Sequence, residues 1–316
     1  MKIKFYDDVF LKKHIISILN FYNKNAYDSN GGFFHSFLDD GTIFDKKNRH
    51  IVSSTRFIYN YANAFHMTQD KKYINLCKHG LKFLNSRHKI LNTNHFAWQI
   101  SEEKIIDGRA MAYGHVFVML AGAWAFRVGI KEGKTLLDEA WNFMDKFFWE
   151  EDHTAYADER SQDLKTLDSY RGQNANMHAV EALLAAFEAT GEDKYLERSN
   201  SIAYQFTMNL AEYSGGQVWE HYSEDWQIDW KYNKEKPDDT FKPWGFQPGH
   251  QVEWAKLLLQ LDFHLPQSWH KQKAIYLFDQ AIKFGMDEKY GGIVYGYSSE
   301  GKFTNSNKYF WVQAEA

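Results

Sequence analysis

Five stretches of this 316-residue chain alternate like short β-hairpins: GGFFHSFLDDG, TNHFAWQI, HTAYAD, GGQVWEHYSED and GGIVYGYSSEG. They begin near positions 31, 93, 153, 215 and 291, so consecutive starts are 62, 60, 62 and 76 residues apart. The long last step contains the polar insertion DWQIDWKYNKEKPDDT at 225–240. Between the hairpins, apolar residues recur at helical spacing over 7–26, 50–69, 71–87, 108–128, 132–149, 170–190, 193–210, 248–263 and 268–286, with a further start near 306. Gly129 and Gly191 read as helix stops and Asp193 as an N-cap. Each period is thus helix, hairpin, helix, too long for the 34-residue tetratricopeptide repeat. A helical pair cannot bury its apolar face alone, so the pairs must stack on one another. A closed toroid suits this pattern, because its inner helices converge on one central pocket. The tenth helix is cut off at Ala316, and a sixth pair would need roughly 60 to 100 further residues at this period. The expectation is one all-α domain, 1–316, truncated at its C-terminus.

Composition narrows the function classes. The formal net charge of −4 argues against nucleic acid or an anionic membrane as partner. The single cysteine, Cys77, excludes an internal disulfide or a cysteine-based metal cage. The N-terminus MKIKFYDDVFLKKHIISIL breaks its apolar residues with charges and does not read as a signal peptide, and no run of 18 apolar residues exists, so a cytoplasmic location is expected. Aromatic residues reach 17 %, which suits both a large core and the lining of a sugar pocket. No phosphate-binding glycine loop and no HExxH or 2-His-1-carboxylate spacing is present, so neither a nucleotide cofactor nor a metal is expected.

The chemistry-bearing segment is WGFQPGHQVEWAKLLL at 244–259. Pro248 and Gly249 open a new helix, and His250 and Glu253, three apart, share one of its faces. A histidine beside a carboxylate is suited to moving protons near neutral pH. In RGQNANMHAVEA, Asn174 and His178 are likewise one turn apart. Two such pairs at helix starts read as walls of one pocket. His14, His79, His88, His153, His264 and His270 fall on polar faces or loops and are expected to be solvated.

Taken together, STRFIYNYANAF (54–65), DGRAMAYGHVFVMLA (107–121), RGQNANMHAVEALLAAFEATGE (171–192), PWGFQPGHQVEWAKLLL (243–259) and KYFWVQAEA (308–316) resemble the N-acylglucosamine 2-epimerase superfamily, and within it the bacterial mannose and sulfoquinovose isomerases. The resemblance implies an (α/α)6 barrel with short hairpin loops, without its last helices. It implies a metal-free aldose–ketose isomerase or 2-epimerase acting on a monosaccharide through an enediol-type intermediate. Carried over by motif, His250 is an acid/base oriented by Glu253. His178 joins them in the catalytic set and, with Asn174, holds sugar oxygens. Arg56 stabilises developing negative charge, and Tyr113, Trp244, Trp311, Gln313 and Glu315 line the pocket. The family's second catalytic histidine lies beyond the WVQAEA motif, past Ala316, and His115 is the nearest substitute in the chain.

Three other readings remain. Isomerase and 2-epimerase share the enediol, and nothing in the sequence separates them. A glycoside hydrolase or lyase would need paired carboxylates, for which Asp168, Glu224, Asp225 and Asp229 are loop candidates. An incomplete ring with exposed apolar flanks could instead bind sugar without turnover or form a homo-oligomer. The insertion 225–240 reads as a solvated loop, with a pocket lid as the alternative. Lys242 is the candidate cation for a sulfonate-bearing sugar.

Overall fold

The computed structural model describes residues 6–239 and 241–316. Among these the helices are α1 (Asp8–Asn25), α2 (Ile51–Thr68), α3 (Lys71–Phe83), α4 (Ala112–Arg127), α5 (Glu132–Phe147), α6 (Gln173–Thr190), α7 (Asp193–Tyr204), α8 (Pro248–His264), α9 (His270–Gly285) and α10 (Phe310–Glu315). Each lies where the apolar period placed it. None of them is long and apolar enough to cross a membrane. Helices α2, α4, α6 and α8 stand side by side as an inner row continued by α10, while α3, α5, α7 and α9 pack behind their partners. Composition sorts the two rows. Inner α4 (AYGHVFVMLAGAWAFR) is buried on nearly every side, whereas outer α5 buries only a stripe built on Leu136, Leu137, Ala140, Phe143 and Met144. Most of the aromatic surplus is interior, with Trp219, Trp254, Tyr61 and Tyr156 among the fully buried side chains.

The hairpins repeat in backbone detail. Ala97 N–H donates to the His88 carbonyl, Ala157 to Phe148 and Val294 to Gly285, at 2.7 to 2.8 Å. Each loop turns on a left-handed residue: Asn94, Thr154, Gly216 and Gly292 have φ of 58°, 53°, 84° and 77°.

The inner helices hold these hairpins through their fourth residues. On α6, α8 and α10 that residue is an amide. Asn176, Gln251 and Gln313 each accept from one loop N–H (Tyr156, Val218, Ile293) and donate to the carbonyl of the same residue, at 2.7 to 3.0 Å. On α4 the fourth residue is His115, whose Nε2 accepts from Phe96 N–H while its Nδ1 bonds the Met111 carbonyl. On α2 it is Ser54, bonded to the buried His88, which reaches the Ala97 carbonyl. A buried loop backbone must find partners inside the protein, and these side chains supply them.

Several expectations need correcting. His88 and His270 are fully buried rather than solvated, and His79 is half-buried with Nε2 against the Asp28 and Gly32 carbonyls. Glu192, not Asp193, occupies the cap position of α7. Asp193 begins the helix, where its charge meets the positive end of the helix dipole. The insertion is mostly exposed, as expected of a solvated loop, but it is fastened at Trp226. Trp226 is buried and donates to Glu150, which also takes a bidentate pair from Arg171. Thr240, its last residue, lies outside the described residues.

Helices α4 and α5 approach at two glycines. A Cβ on Gly133 would meet Phe126 N at 2.5 Å and Gly122 O at 2.6 Å, both of them backbone atoms that cannot swing aside. Alanine raises helix propensity by about 1 kcal/mol over glycine. Forcing the pair apart costs about 1–3 kcal/mol, and because the clash is with backbone it should win. Gly133→Ala is therefore expected to lower the urea midpoint; an unchanged or raised midpoint would show that the two helices can separate freely.

Candidate active site

The same registry that puts the fourth residues against the loops turns the sixth residues inward. These are Arg56 of α2, Phe117 of α4, His178 of α6, Glu253 of α8 and Glu315 of α10, and all five line one central cavity of about 350 Å³. The second residues of α4, α6 and α10 add Tyr113, Asn174 and Trp311, on the same face one turn earlier. In α8 the second residue is Gly249, where a Cβ would strike the Trp311 ring at 2.6 Å. That glycine lets the indole lie 5.3 Å from the His250 ring. A larger surface groove of about 640 Å³ beside α1 and α3 contains Asn20, Asn75 and Lys78 but only one histidine, His79, whose Nε2 is engaged with backbone.

His250 sits in the first turn of α8, behind Pro248 at the position where a missing N–H costs nothing. It is 8 % exposed, and its Nδ1 lies 3.0 and 2.9 Å from the two carboxylate oxygens of Glu220, itself 4 % exposed. An ionised carboxylate only accepts, so Nδ1 carries the proton and donates it to Glu220. Nε2 has no hydrogen-bond partner among the described residues and is the nitrogen left for chemistry. Burial alone would push the imidazole down. The charge and hydrogen bond of Glu220, with Glu253 and Glu315 behind it, hold it above its ordinary value.

Glu253 does not hydrogen-bond His250; Glu220 has that role. Glu253 instead brings a carboxylate oxygen to 3.7 Å from His178 Nδ1 and 3.9 Å from Lys256 Nζ. His178 Nδ1 is hydrogen-bonded at 3.0 Å to Glu181, one turn on along α6. Burial would raise the Glu181 carboxyl, but this bond and the charges of His178, Lys256 and Arg56 hold it low. Lys256 also pairs with Glu315 at 2.5 Å. Burial would lower its ammonium, yet Glu253 and Glu315 raise it. Opposite, the Arg56 guanidinium lies 4.5 Å over the Phe117 ring. Burial pushes the Tyr113 hydroxyl up to about 12 although Arg56 pulls it back. The cavity therefore holds a proton carrier, a permanent cation and a set of acceptors. His178, Glu181 and Glu253 also gather their donor atoms within 4.8 Å of one another, close enough to surround a cation. Here Glu181 fills the His178 nitrogen and Lys256 stands beside Glu253.

Of the residues expected from sequence, His250, His178, Glu253, Arg56, Asn174, Tyr113, Trp311 and Glu315 meet at this cavity. Trp244 and Gln313 are not in its wall. Trp244 donates to the Trp230 carbonyl and fastens the insertion, and Gln313 is one of the fourth-position amides. His115 is no substitute base. Burial drives it down to about 3, and both its nitrogens are taken by backbone. Lys242 sits over the Tyr170 ring at 3.7 Å, outside the cavity wall. Asp168, Glu224, Asp225 and Asp229 are likewise absent from it. Glu220 and Glu181 escaped the sequence reading. Glu181 stands three residues after His178, a spacing that could have revealed it. Glu220 lies in a hairpin 30 residues from His250, and only strand pairing brings it there: Arg171 and Gly172 pair with Tyr222 and His221.

Residues 32–316 match the N-acylglucosamine 2-epimerase (GlcNAc 2-epimerase) family. A D-mannose isomerase of Marinomonas mediterranea is 46% identical over 308 residues, which are 97% of this chain and 78% of that protein. One of Thermobifida fusca is 34% identical over 76% of this chain and 60% of its own length. A crystal structure of a D-mannose isomerase superposes with a TM-score of 0.98 at 45% identity, covering 100% of this chain and 81% of that one. A cellobiose 2-epimerase from Spirochaeta thermophila, at TM-score 0.83 and 18% identity over 99% of this chain and 79% of its own, shares the fold. Helix pairing, cavity and relatives agree: the chain is an enzyme of the isomerase and epimerase kind and belongs to the N-acylglucosamine 2-epimerase family.

Proposed function

We propose that this isomerase interconverts an aldose and its ketose, mannose and fructose in the first instance. The observation that carries the reading is the buried His250–Glu220 pair, with Nε2 left unpaired, in a cavity that also contains Arg56. At about 350 Å³ the cavity is near the small end of ligand sites, roughly 300–1,000 Å³, which favours a monosaccharide over a disaccharide. Neutral His250 takes the proton from C2 of the open-chain aldose, and the electron pair moves onto the C1 carbonyl to give an enediolate. Arg56 is the permanent cation available to the developing oxyanion. The imidazolium then returns the proton to C1 while the hydroxyl proton passes from O2 to O1, a transfer for which Glu253 is the nearby carboxylate. Asn174 and His178 anchor hydroxyls, and the Trp311 ring offers an apolar face to the sugar.

Epimerisation at C2 is the second reading. It would need a proton donor on the opposite face of the enediolate, and His178, on α6 in the same cavity wall, is the candidate. Product analysis with mannose, N-acetylmannosamine and cellobiose separates the two. Ketose from mannose with no C2 epimer is the expected result; a C2 epimer as the main product would replace the isomerase reading with the epimerase one.

His250→Asn is expected to lower kcat on the order of 10²- to 10⁴-fold, the usual share of general acid–base catalysis. A variant within about tenfold of the parent would remove His250 from the mechanism.

The pH profile follows from the direction of the His250 shift. His250 must be neutral to accept a proton, so kcat/KM falls as pH drops below its raised value. Glu220→Gln removes the carboxylate charge that favours imidazolium. The midpoint of that fall should then move to lower pH, and a midpoint that stays or rises would contradict the pairing.

A further inference from the structure

The side chain that completes the His250–Glu220 pair is not among those lining the cavity. Gln173 is the first residue of α6 and is fully buried. The strand pairing that precedes α6 carries on through it, since Gln173 N–H donates to the Glu220 carbonyl at 3.2 Å. Its amide orientation is fixed chemically. The indole N–H of Trp254, also fully buried, can only donate, and it lies 2.8 Å from Gln173 Oε1. The amide oxygen therefore faces Trp254, and the NH₂ group faces Glu220 Oε2 at 3.0 Å and His250 Nδ1 at 2.9 Å.

We propose that Gln173, latched by Trp254, is a positioning residue whose amide shares the Glu220 carboxylate with His250 and so sets both the tautomer and the proton affinity of the acid/base. Two donors, Gln173 Nε2–H and His250 Nδ1–H, converge on one carboxylate. The amide donor prevents Glu220 from rotating away and leaves the imidazole no acceptor but that carboxylate. It also places the positive end of an amide dipole beside Nδ1. The leading charges acting on His250 are Glu220 from the hairpin, Glu253 from its own helix and Glu315 from α10, all anionic, with the Lys256 ammonium beside the last two. Each carboxylate favours imidazolium, and Gln173 opposes them. In a dry site such a fixed dipole acts strongly. A base held too firmly as imidazolium cannot accept the substrate's proton at neutral pH, so this opposition keeps His250 usable.

The kinetic half of this inference rests on the isomerase reading, but its electrostatic half does not. The test is a pH titration of the ¹⁵N-histidine-labelled chain by NMR, with His250 assigned by the signals missing in His250→Asn. It is run on the parent, on Gln173→Met, which removes the donor, and on Gln173→Glu. The last keeps an acceptor for Trp254 and substitutes for Met should that variant fail to fold. In either variant the His250 midpoint is expected to move to higher pH, opposite in sign to Glu220→Gln. With mannose, kcat should fall on the order of tenfold at neutral pH, KM should stay within about twofold, and activity should recover towards alkaline pH. A folded variant whose His250 midpoint is unchanged or lower overturns the proposal, as does a kcat loss that is the same at every pH. If no sugar is turned over even by the parent, the isomerase reading fails while the titration still decides the role of Gln173.

Discussion

The structure depends on side-chain amides bonding to peptide groups. Each hairpin dips into the ring and buries its own backbone, which would be costly without partners. Asn176, Gln251 and Gln313 answer this in the same way, each donating to and accepting from a single loop residue. Because the three occupy the fourth position of their helices, they fix not only the loop but the rotation of each inner helix about its axis. His115 and the Ser54–His88 pair do equivalent work with other chemistry.

That fixed rotation produces the site. With the fourth residue turned to the loop, the second and sixth turn to the centre, and five helices deliver Arg56, Phe117, His178, Glu253 and Glu315 to one cavity. Strand pairing then adds what helix geometry cannot. Holding Arg171–Gly172 against His221–Tyr222 sets Gln173 and Glu220 together, beneath the first turn of α8 where His250 waits. The catalytic imidazole is oriented from behind by elements distant in sequence, and its working nitrogen is left unpaired. Charge is handled in the same distributed way: Lys256 and Arg56 offset Glu181, Glu253 and Glu315 across four helices, so the cavity keeps acceptors without a large unbalanced charge.

Much of this was legible in the sequence. The period of about 60 residues gave the helical pairs because each repeat must bury its own apolar face against the next. His250 stood out because Pro248 and Gly249 mark a helix start, and His178 because Asn174 lies one turn before it. Helical spacing failed where contacts are not helical. Glu253 was paired with His250 since the two are three apart, yet in the folded chain its carboxylate is drawn to His178 and Lys256 of the site. Gln313 was assigned to the pocket by motif resemblance alone, although its partner is the Ile293 peptide group. The buried histidines were misjudged too: His88 sits among polar neighbours in sequence, and only the loop carbonyl of Ala97 explains its burial. Trp226 showed the reverse, an insertion residue in a charged segment that docks on Glu150 of another repeat.

The central claim is that His250 carries the substrate's proton within this cavity. Proton NMR of mannose with the chain in D₂O addresses it most directly. The account predicts deuterium entering at C2 of mannose and at C1 of the fructose formed, with both signals abolished in His250→Asn while that variant still binds the sugar. Deuterium incorporation that persists in His250→Asn at the parent's rate would contradict it.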